Sequence, residues 1–231
     1  MRSAAFHLGS SRAIVSIWLA AAFCLHAQVI LDRVAIVVGL RVVKTSDIER
    51  DLRASQFLNH QPVDVSNGAK RKIAERMIEQ TLIQQEMQTG NWAQPGPADV
   101  DGFVNQLKKQ RFGGSDAEFS KGLAQYGLTL DQFRKYADWQ LAVLRFIDER
   151  FRPGVLVTEG DIPDYYELHR EEFGGATLEE VTPKIREQLT GEKINQAFEE
   201  WLKQIRSRAR VQFKPEAFGG EAPSAEGNVE P

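Results

Sequence analysis

The hydrophobic pattern of this chain is clearest between residues 177 and 208. Apolar side chains recur there at spacings of three to five residues, which is typical of a helix with one buried face. Thr177 and Glu180 have the spacing of a capping box, and we place Pro183 in the first turn, where a missing N–H is tolerated. The pattern predicts one long helix whose apolar stripe needs partners elsewhere in the chain: Leu178, Val181, Ile185, Leu189, Ile194, Phe198, Trp201, Leu202 and Ile205.

Two regions near opposite ends of the chain have the alternating pattern of β-strands. Residues 30–38 and 41–44 flank Gly39, which suits the positive φ of a tight hairpin turn. Residues 209–213 alternate in the same way directly after the long helix, and a lone strand needs a partner. We therefore expect the N-terminal hairpin and the C-terminal strand to form one small sheet.

The region between these strands is predicted to be helical. Capping residues, glycines and prolines divide it into segments with apolar residues at helical spacing. These are residues 46–59, 69–89, 98–112, a short helix between Ser115 and Gly127, 130–152 and 161–173. Ser46 with Glu49 is the predicted capping box of the first of them. The expected fold is mainly α, a multi-helix module with a small β-sheet.

The first 27 residues have the features of a secretory signal peptide. Two arginines and no acidic residue precede an apolar run over residues 13–25, and a small residue follows at Ala27. The run is too short to span a bilayer as a stable helix. We predict export and cleavage before Gln28, with an uncleaved anchor in the inner membrane as the alternative.

Composition narrows the classes of function. The sole cysteine, Cys24, lies in the predicted signal peptide, so a cleaved chain would contain neither disulfides nor a thiol nucleophile. Without Arg2 and Arg12, 27 basic residues face 32 acidic ones, and the formal charge changes from −3 to −5. Nucleic acid is therefore not an expected partner. No second segment has the length and hydropathy of a membrane span, so the cleaved protein is not expected to be an integral membrane protein.

No residue pattern indicates catalysis. The two histidines after the signal peptide, His60 and His169, lie in no metal-ligand spacing, and no serine lies in a GxSxG motif. The segment from Gly127 to Gln140 resembles part of a helix-turn-helix, but export and net acidity favour an ordinary turn between helices. We predict no catalytic residue, no metal and no cofactor.

Large aromatic residues are the most informative set for binding. At helical spacing most of them are expected in the core, whereas any left in a groove between helices would bind unfolded apolar segments. The predicted binding residues for such segments are Trp92, Phe103, Phe112, Phe119, Tyr126, Tyr136 and Trp139.

Four segments, taken in order, carry a resemblance to a known family. They are LDRVAIVVGLRVVKTSDIERDL from residue 31, FGGSDAEFSKGLAQYGLTLDQFRKYADWQLAVLRFIDERF from residue 112, VTEGDIPDYYELHREEF from residue 157 and TLEEVTPKIREQLTGEKINQAFEEWLKQIRSRARVQF from residue 177. Together they resemble the N-terminal module of the SurA family of periplasmic chaperones, which is trigger-factor-like. The resemblance covers nearly all of residues 31–213 and lies in the order of the segments.

The resemblance implies a domain organisation, a location and a function. It predicts a signal peptide over residues 1–27, a chaperone domain over 28–213 completed by residues 177–213, and a disordered tail over 214–231. It implies a periplasmic, ATP-independent chaperone without a cofactor. Its expected partners are unfolded or partly folded exported proteins, with outer-membrane β-barrel precursors as the client class.

One part of the family pattern is missing. Relatives usually carry parvulin-type prolyl isomerase domains between the last two segments, where this chain has only Gly174, Gly175 and Ala176. We therefore do not expect an enzyme. A prolyl isomerase is the first alternative. The second is an envelope scaffolding subunit that pairs with a separate isomerase or with a second copy of this chain as a homodimer.

Overall fold

The computed structural model describes residues 32–219, and this part of the chain is mainly α-helical with a small sheet. Its strands are β1 (Val34–Val38), β2 (Arg41–Lys44) and β3 (Val211–Phe213). Its helices are α1 (Thr45–Leu58), α2 (Asn67–Thr89), α3 (Pro97–Phe112), α4 (Asp116–Gln125), α5 (Leu130–Phe151), α6 (Asp161–Leu168) and α7 (Leu178–Arg208). The predicted fold class is confirmed.

The sheet joins the two ends of the described chain. Its strand order is β2-β1-β3, and both pairings are antiparallel. Val38 lies opposite Arg41 across the hairpin, and Gly39 between them has a φ of +60°. Val37 lies opposite Gln212 of β3. The predicted hairpin and its pairing with the C-terminal strand are therefore confirmed.

One face of the sheet packs on the first two helices. Ile36 and Val38 of β1 point inward because residues two apart in a strand lie on the same face, and Ala35 is also buried at the register shift between Val34 and Ile36. They meet apolar residues of α1 and α2 at helical spacing. This sheet cluster contains Ala35, Ile36, Val38, Val43, Ile48, Leu52, Ile73, Ala74, Ile78, Leu82 and Phe218.

Three further clusters fill the helical body. An aromatic cluster joins the end of α1 to α3, α4 and α5 around Phe57 and Phe133. A second helical cluster joins α2, α5 and α7 around Phe146 and Leu202. The third joins α6 to the first half of α7 around Ile185. The apolar stripe of α7 therefore contributes to several clusters.

Helix α7 has the predicted capping box and is continuous to Arg208. The backbone N–H of Thr177 donates to Glu180 Oε2 at 2.8 Å, and the N–H of Glu180 donates to Thr177 Oγ1 at 3.4 Å. Pro183 lies inside the helix and not in its first turn as predicted. Because proline has no N–H, the helix lacks the bond that this position would otherwise donate to Glu179.

The start of α1 differs from the prediction. The N–H of Lys44 donates to Asp47 Oδ2 at 3.2 Å, so Asp47 caps the helix in place of the expected Ser46 and Glu49 pair. Ser46 instead donates its hydroxyl to Asp32 Oδ2 at 2.6 Å. Helix α1 therefore begins at Thr45, one residue before the predicted start, with Lys44 as its N-cap.

The described chain also continues in an ordered form after β3. Pro215–Phe218 forms a 3₁₀ turn, and Phe218 is 4% exposed in the sheet cluster. Residues 214–219 thus differ from the predicted disordered tail, because one aromatic side chain returns to the core. The predictions for residues 1–27 and for residues 220–231 lie outside the described residues.

Candidate functional site

An open groove lies between the hairpin, α1, α2 and α5, with a volume of about 760 Å³. We call it the α2–α5 groove. One wall is a single face of α2, beside the face that packs in the sheet cluster: Met77, Gln80, Thr81, Gln84, Met87 and Gln88. The facing wall belongs to α5: Gln132, Lys135, Tyr136, Asp138, Trp139 and Ala142. The third side is formed by Arg41, Val42, Val43, Asp47, Arg50 and Asp51.

A partly buried polar network lies beside the groove. Asp51 of α1 forms an ion pair with Arg76 of α2, and Arg76 Nη1 donates to Ser55 Oγ at 3.3 Å. Burial raises the pKa of Tyr136, and the charge of Asp51 adds to that increase. These contacts join α1 to α2 beside the groove, and they leave the buried Nε of Arg76 without a hydrogen-bond partner among the described residues.

The lining of the groove has balanced charge and many amides. Asp47, Asp51 and Asp138 are matched by Arg41, Arg50 and Lys135. Five glutamines also line the groove, each able to donate and accept hydrogen bonds: Gln80, Gln84, Gln88, Gln94 and Gln132. A lining without net charge gives no advantage to a strongly charged ligand. Amides, methionines and aromatic rings suit an uncharged peptide segment.

The structure places two of the seven predicted binding residues in this groove. Tyr136 and Trp139 lie on its α5 wall, one turn apart. Both are partly buried, and each also contacts a hydrophobic cluster. They combine an apolar ring with a polar atom, which is the usual chemistry of aromatic residues at binding surfaces.

The other five predicted residues lie elsewhere. Phe103, Phe112, Phe119 and Tyr126 belong to the aromatic cluster, where the rings of Phe112 and Tyr126 lie 6.1 and 5.4 Å from that of Phe57. Phe119 is 2% exposed, so it would have to leave the core to contact a ligand.

The Trp92 side chain packs against the second helical cluster on one side and against a residue near its own loop on the other. Its ring lies 5.0 Å from that of Phe146, and Arg150 Cζ lies 5.7 Å from the Trp92 ring. The indole also lies against Gly90, where a Cβ would overlap it. Trp92 is therefore a packing residue of the turn between α2 and α3.

The sequence prediction did not include the glutamine face of α2. Gln80, Gln84 and Gln88 recur every four residues, which places them on one side of a helix. That spacing was the available signal. This spacing alone does not distinguish a groove wall from an ordinary solvated helix face.

The remaining titratable candidates have local partners. Arg111 Nη2 lies 2.8 Å from His60 Nδ1, and the His169 ring stacks on Tyr165 with centroids 4.1 Å apart. Within residues 32–219, no three potential metal-ligating side chains are grouped together. No helix in the same range is both long enough and apolar enough to cross a membrane.

A smaller cavity of about 520 Å³ lies beside the hairpin turn. Val38, Leu82 and Ile205 form its apolar walls, and Arg208 and Arg210 lie at the C-terminal end of α7. Basic side chains at this position interact favourably with the negative end of the helix dipole. The interaction with the helix dipole explains the positions of Arg208 and Arg210, so no bound ligand is needed to explain them.

In sequence comparisons, no protein-family model and no curated protein matches this chain. The resemblance to the SurA family therefore stays a prediction. Gly174, Gly175 and Ala176 form a tight turn, in which Gly174 and Gly175 have φ values of +57° and +87°. This turn leads directly into the cap of α7 at Thr177.

Proposed function

We propose that this protein is an ATP-independent chaperone that holds unfolded segments of exported proteins in the α2–α5 groove. The observation that carries the proposal is the groove itself, which is open, charge-balanced and lined by apolar, aromatic and amide side chains. An unfolded chain exposes two kinds of group that this lining can contact: apolar side chains, and backbone amides without hydrogen-bond partners.

The apolar part of the groove suits ligands of varied sequence. Met77 is partly buried on the α2 wall, and its side chain can adapt to different shapes because methionine is unbranched and polarizable. Met87 lies deeper in the same wall, 7% exposed. Tyr136 and Trp139 face them from α5 with large ring surfaces. Such a lining favours affinity for many apolar segments over selectivity for one.

The resemblance to periplasmic chaperones supports a location and a client class. The four segments that carry it contain the hairpin, the first half of α1, the helices α4 to α7 and β3. We propose outer-membrane β-barrel precursors as clients in the periplasm. Their strands alternate apolar and polar residues, so an unfolded precursor presents many short apolar segments.

Suppression of aggregation tests the proposal. An outer-membrane barrel precursor, unfolded in urea and diluted into buffer, should scatter less light when the purified protein is present at modest molar excess. Val42→Asp places a charge at the groove on a residue that is 49% exposed, and it should reduce the protection. Val34→Asp is the matched control, because Val34 is 40% exposed on β1 and does not line the groove.

Two different results would contradict the proposed function and the proposed position of the binding site. Absence of any protection by the wild-type protein would contradict the proposed function. Equal protection by the two variants, each with an unchanged circular dichroism spectrum, would contradict the placement of the binding site in the α2–α5 groove.

A further inference from the structure

Three glutamines of α2 form a row along the wall of the α2–α5 groove. Gln80, Gln84 and Gln88 follow one another at intervals of four residues. Arg41 of β2 reaches two of them: its Nη1 donates to Gln84 Oε1 at 3.2 Å, and its Nη2 donates to Gln88 Oε1. One guanidinium thus holds two neighbouring amide groups.

This contact determines which atoms of the glutamines remain available. A guanidinium only donates hydrogen bonds, so the atoms that it contacts must be the amide oxygens. The NH₂ groups of Gln84 and Gln88 have no acceptor among the described residues. Arg41 therefore orients two hydrogen-bond donors at the wall of the groove.

The helical rise between successive glutamines of the row is close to the repeat of an extended chain. Four residues of an α-helix rise by about 6 Å. Two residues of a β-strand rise by about 6.6 Å, and every second carbonyl of a strand points to the same side. Donors placed every four helical residues can therefore meet successive carbonyl oxygens on one side of an extended peptide.

We infer that the glutamine row binds the backbone carbonyl oxygens of a client segment in extended conformation, with Arg41 as the positioning residue. The inference rests on the proposed function and defines its substrate class. The ligand is an extended, uncharged segment whose backbone is read largely independently of its side chains. A helical segment is excluded, because its carbonyl groups are already bonded within the helix.

The edge of the sheet supports the same class of ligand. β2 pairs only with β1 among the described strands, and Val42 lines the groove. In a two-residue hairpin, Val38 and Arg41 form the hydrogen-bonded pair, so the N–H and C=O of Val42 point away from β1. These groups can pair with the second side of an extended peptide, as in strand addition.

The test uses a fluorescein-labelled peptide of alternating threonine and valine, about nine residues long and therefore about 30 Å when extended. Fluorescence anisotropy gives its Kd for the wild-type protein and for the double variant Gln84→Met/Gln88→Met. Loss of two hydrogen bonds should weaken binding about tenfold. The control double variant, Gln106→Met/Gln125→Met, changes two exposed glutamines outside the groove and should bind as the wild type does.

A second peptide tests the carbonyl contact itself. Replacing alternate amides by esters weakens the carbonyl acceptors while the side chains stay the same. The ester peptide should bind the wild-type protein several-fold more weakly than the amide peptide, and the two peptides should differ less on the Gln84→Met/Gln88→Met variant. Arg41→Met should also weaken binding, because the amides lose their fixed orientation.

Each outcome has a distinct meaning. Tight binding of the precursor and peptide by the wild type, with equal affinity for the glutamine double variant, would overturn the inference and leave the proposed function standing. Stronger binding by Arg41→Met would overturn the positioning role of Arg41. If the wild type bound neither the precursor nor the peptide, the proposed function would fail, and the inference with it.

Discussion

Val37 of β1 lies opposite Gln212 of β3, so the first and last strands of the described chain belong to one ladder. Backbone bonds extend the pairing on both sides, from Gly39 N–H to Arg210 O and from Lys214 N–H to Ala35 O, each 2.9 Å long. The C-terminal strand therefore holds the N-terminal hairpin beside α2, and the hairpin supplies one side of the α2–α5 groove.

The segment after β3 should contribute measurably to stability. Phe218 is 4% exposed in the sheet cluster, and we expect Phe218→Ala to lower the free energy of unfolding by about 3–5 kcal/mol. Phe213→Ala is the matched control, because Phe213 is 41% exposed and its replacement should lower the free energy of unfolding by less. Urea unfolding followed by circular dichroism measures both. Equal losses would contradict the buried position of Phe218.

Replacement by alanine should lower the stability of the protein at Gly90 and raise it at Gly102. A Cβ at Gly90 would overlap the Trp92 indole, so Gly90→Ala should displace Trp92, shift its fluorescence and lower the Tm. Gly102 lies inside α3 with open space around it, and alanine is the better helix former. Gly102→Ala should stabilise the protein by about 0.5–1 kcal/mol. A Gly90→Ala protein with unchanged fluorescence and Tm would contradict this packing.

Thr177, which caps α7, should contribute more to the free energy of unfolding than Thr182, which lies within the same helix. Thr177→Ala removes the acceptor for the N–H of Glu180 and should destabilise the protein by about 1 kcal/mol. Thr182→Ala, in the same helix, only removes a bond to the carbonyl of Leu178 and should be neutral or stabilising. Chemical denaturation of the two variants measures the difference. The reverse order of stabilities would contradict the observed start of α7.

Asp161 should titrate well below its ordinary range. The bond from Lys193 Nζ, 2.7 Å long, and the N–H of Thr158 lower its pKa from 3.8 to about 2. A lowered folded-state pKa gives stability that is present above pH 3.8 and is lost as the pH falls towards 2. Carbon-13 NMR titration of the carboxyl group measures this pKa.

Removal of the lysine provides the control for this titration. Lys193→Met should raise the pKa of Asp161 towards 3.8 without restoring it fully, because the bond from the Thr158 N–H remains. If the pKa of Asp161 were the same in both proteins, the described ion pair would not form in solution.

Local signals made much of the fold predictable. The capping box at Thr177, the stripe of α7 and the turn at Gly39 each depend on residues close together in sequence, and each is confirmed. The pairing of β3 with β1 followed because each needed a partner and the chain offered few candidate strands. The predicted cap of α1 was wrong, because Ser46 donates its hydroxyl to Asp32, 14 residues earlier in the chain, and Asp47 caps the helix in its place.

The groove could not be predicted in the same way. It depends on which polar faces of α1, α2 and α5 meet, and helical spacing does not encode that arrangement. Tyr126 and Tyr136 were equivalent candidates in the sequence, yet only Tyr136 lines the groove. The contacts of Arg41 with Gln84 and Gln88 span 43 and 47 residues, so no local pattern contains them.

Site-specific crosslinking tests most directly whether the α2–α5 groove holds unfolded segments of exported proteins. A photoreactive benzophenone can be attached to Val42→Cys, which lines the groove, or to Val34→Cys, which does not, each in a Cys24→Ser background. After addition of an unfolded outer-membrane barrel precursor, we predict saturable crosslinking from residue 42 that an aromatic-rich peptide displaces, and little from residue 34. No crosslinking from either position, or equal crosslinking from both, would contradict this account.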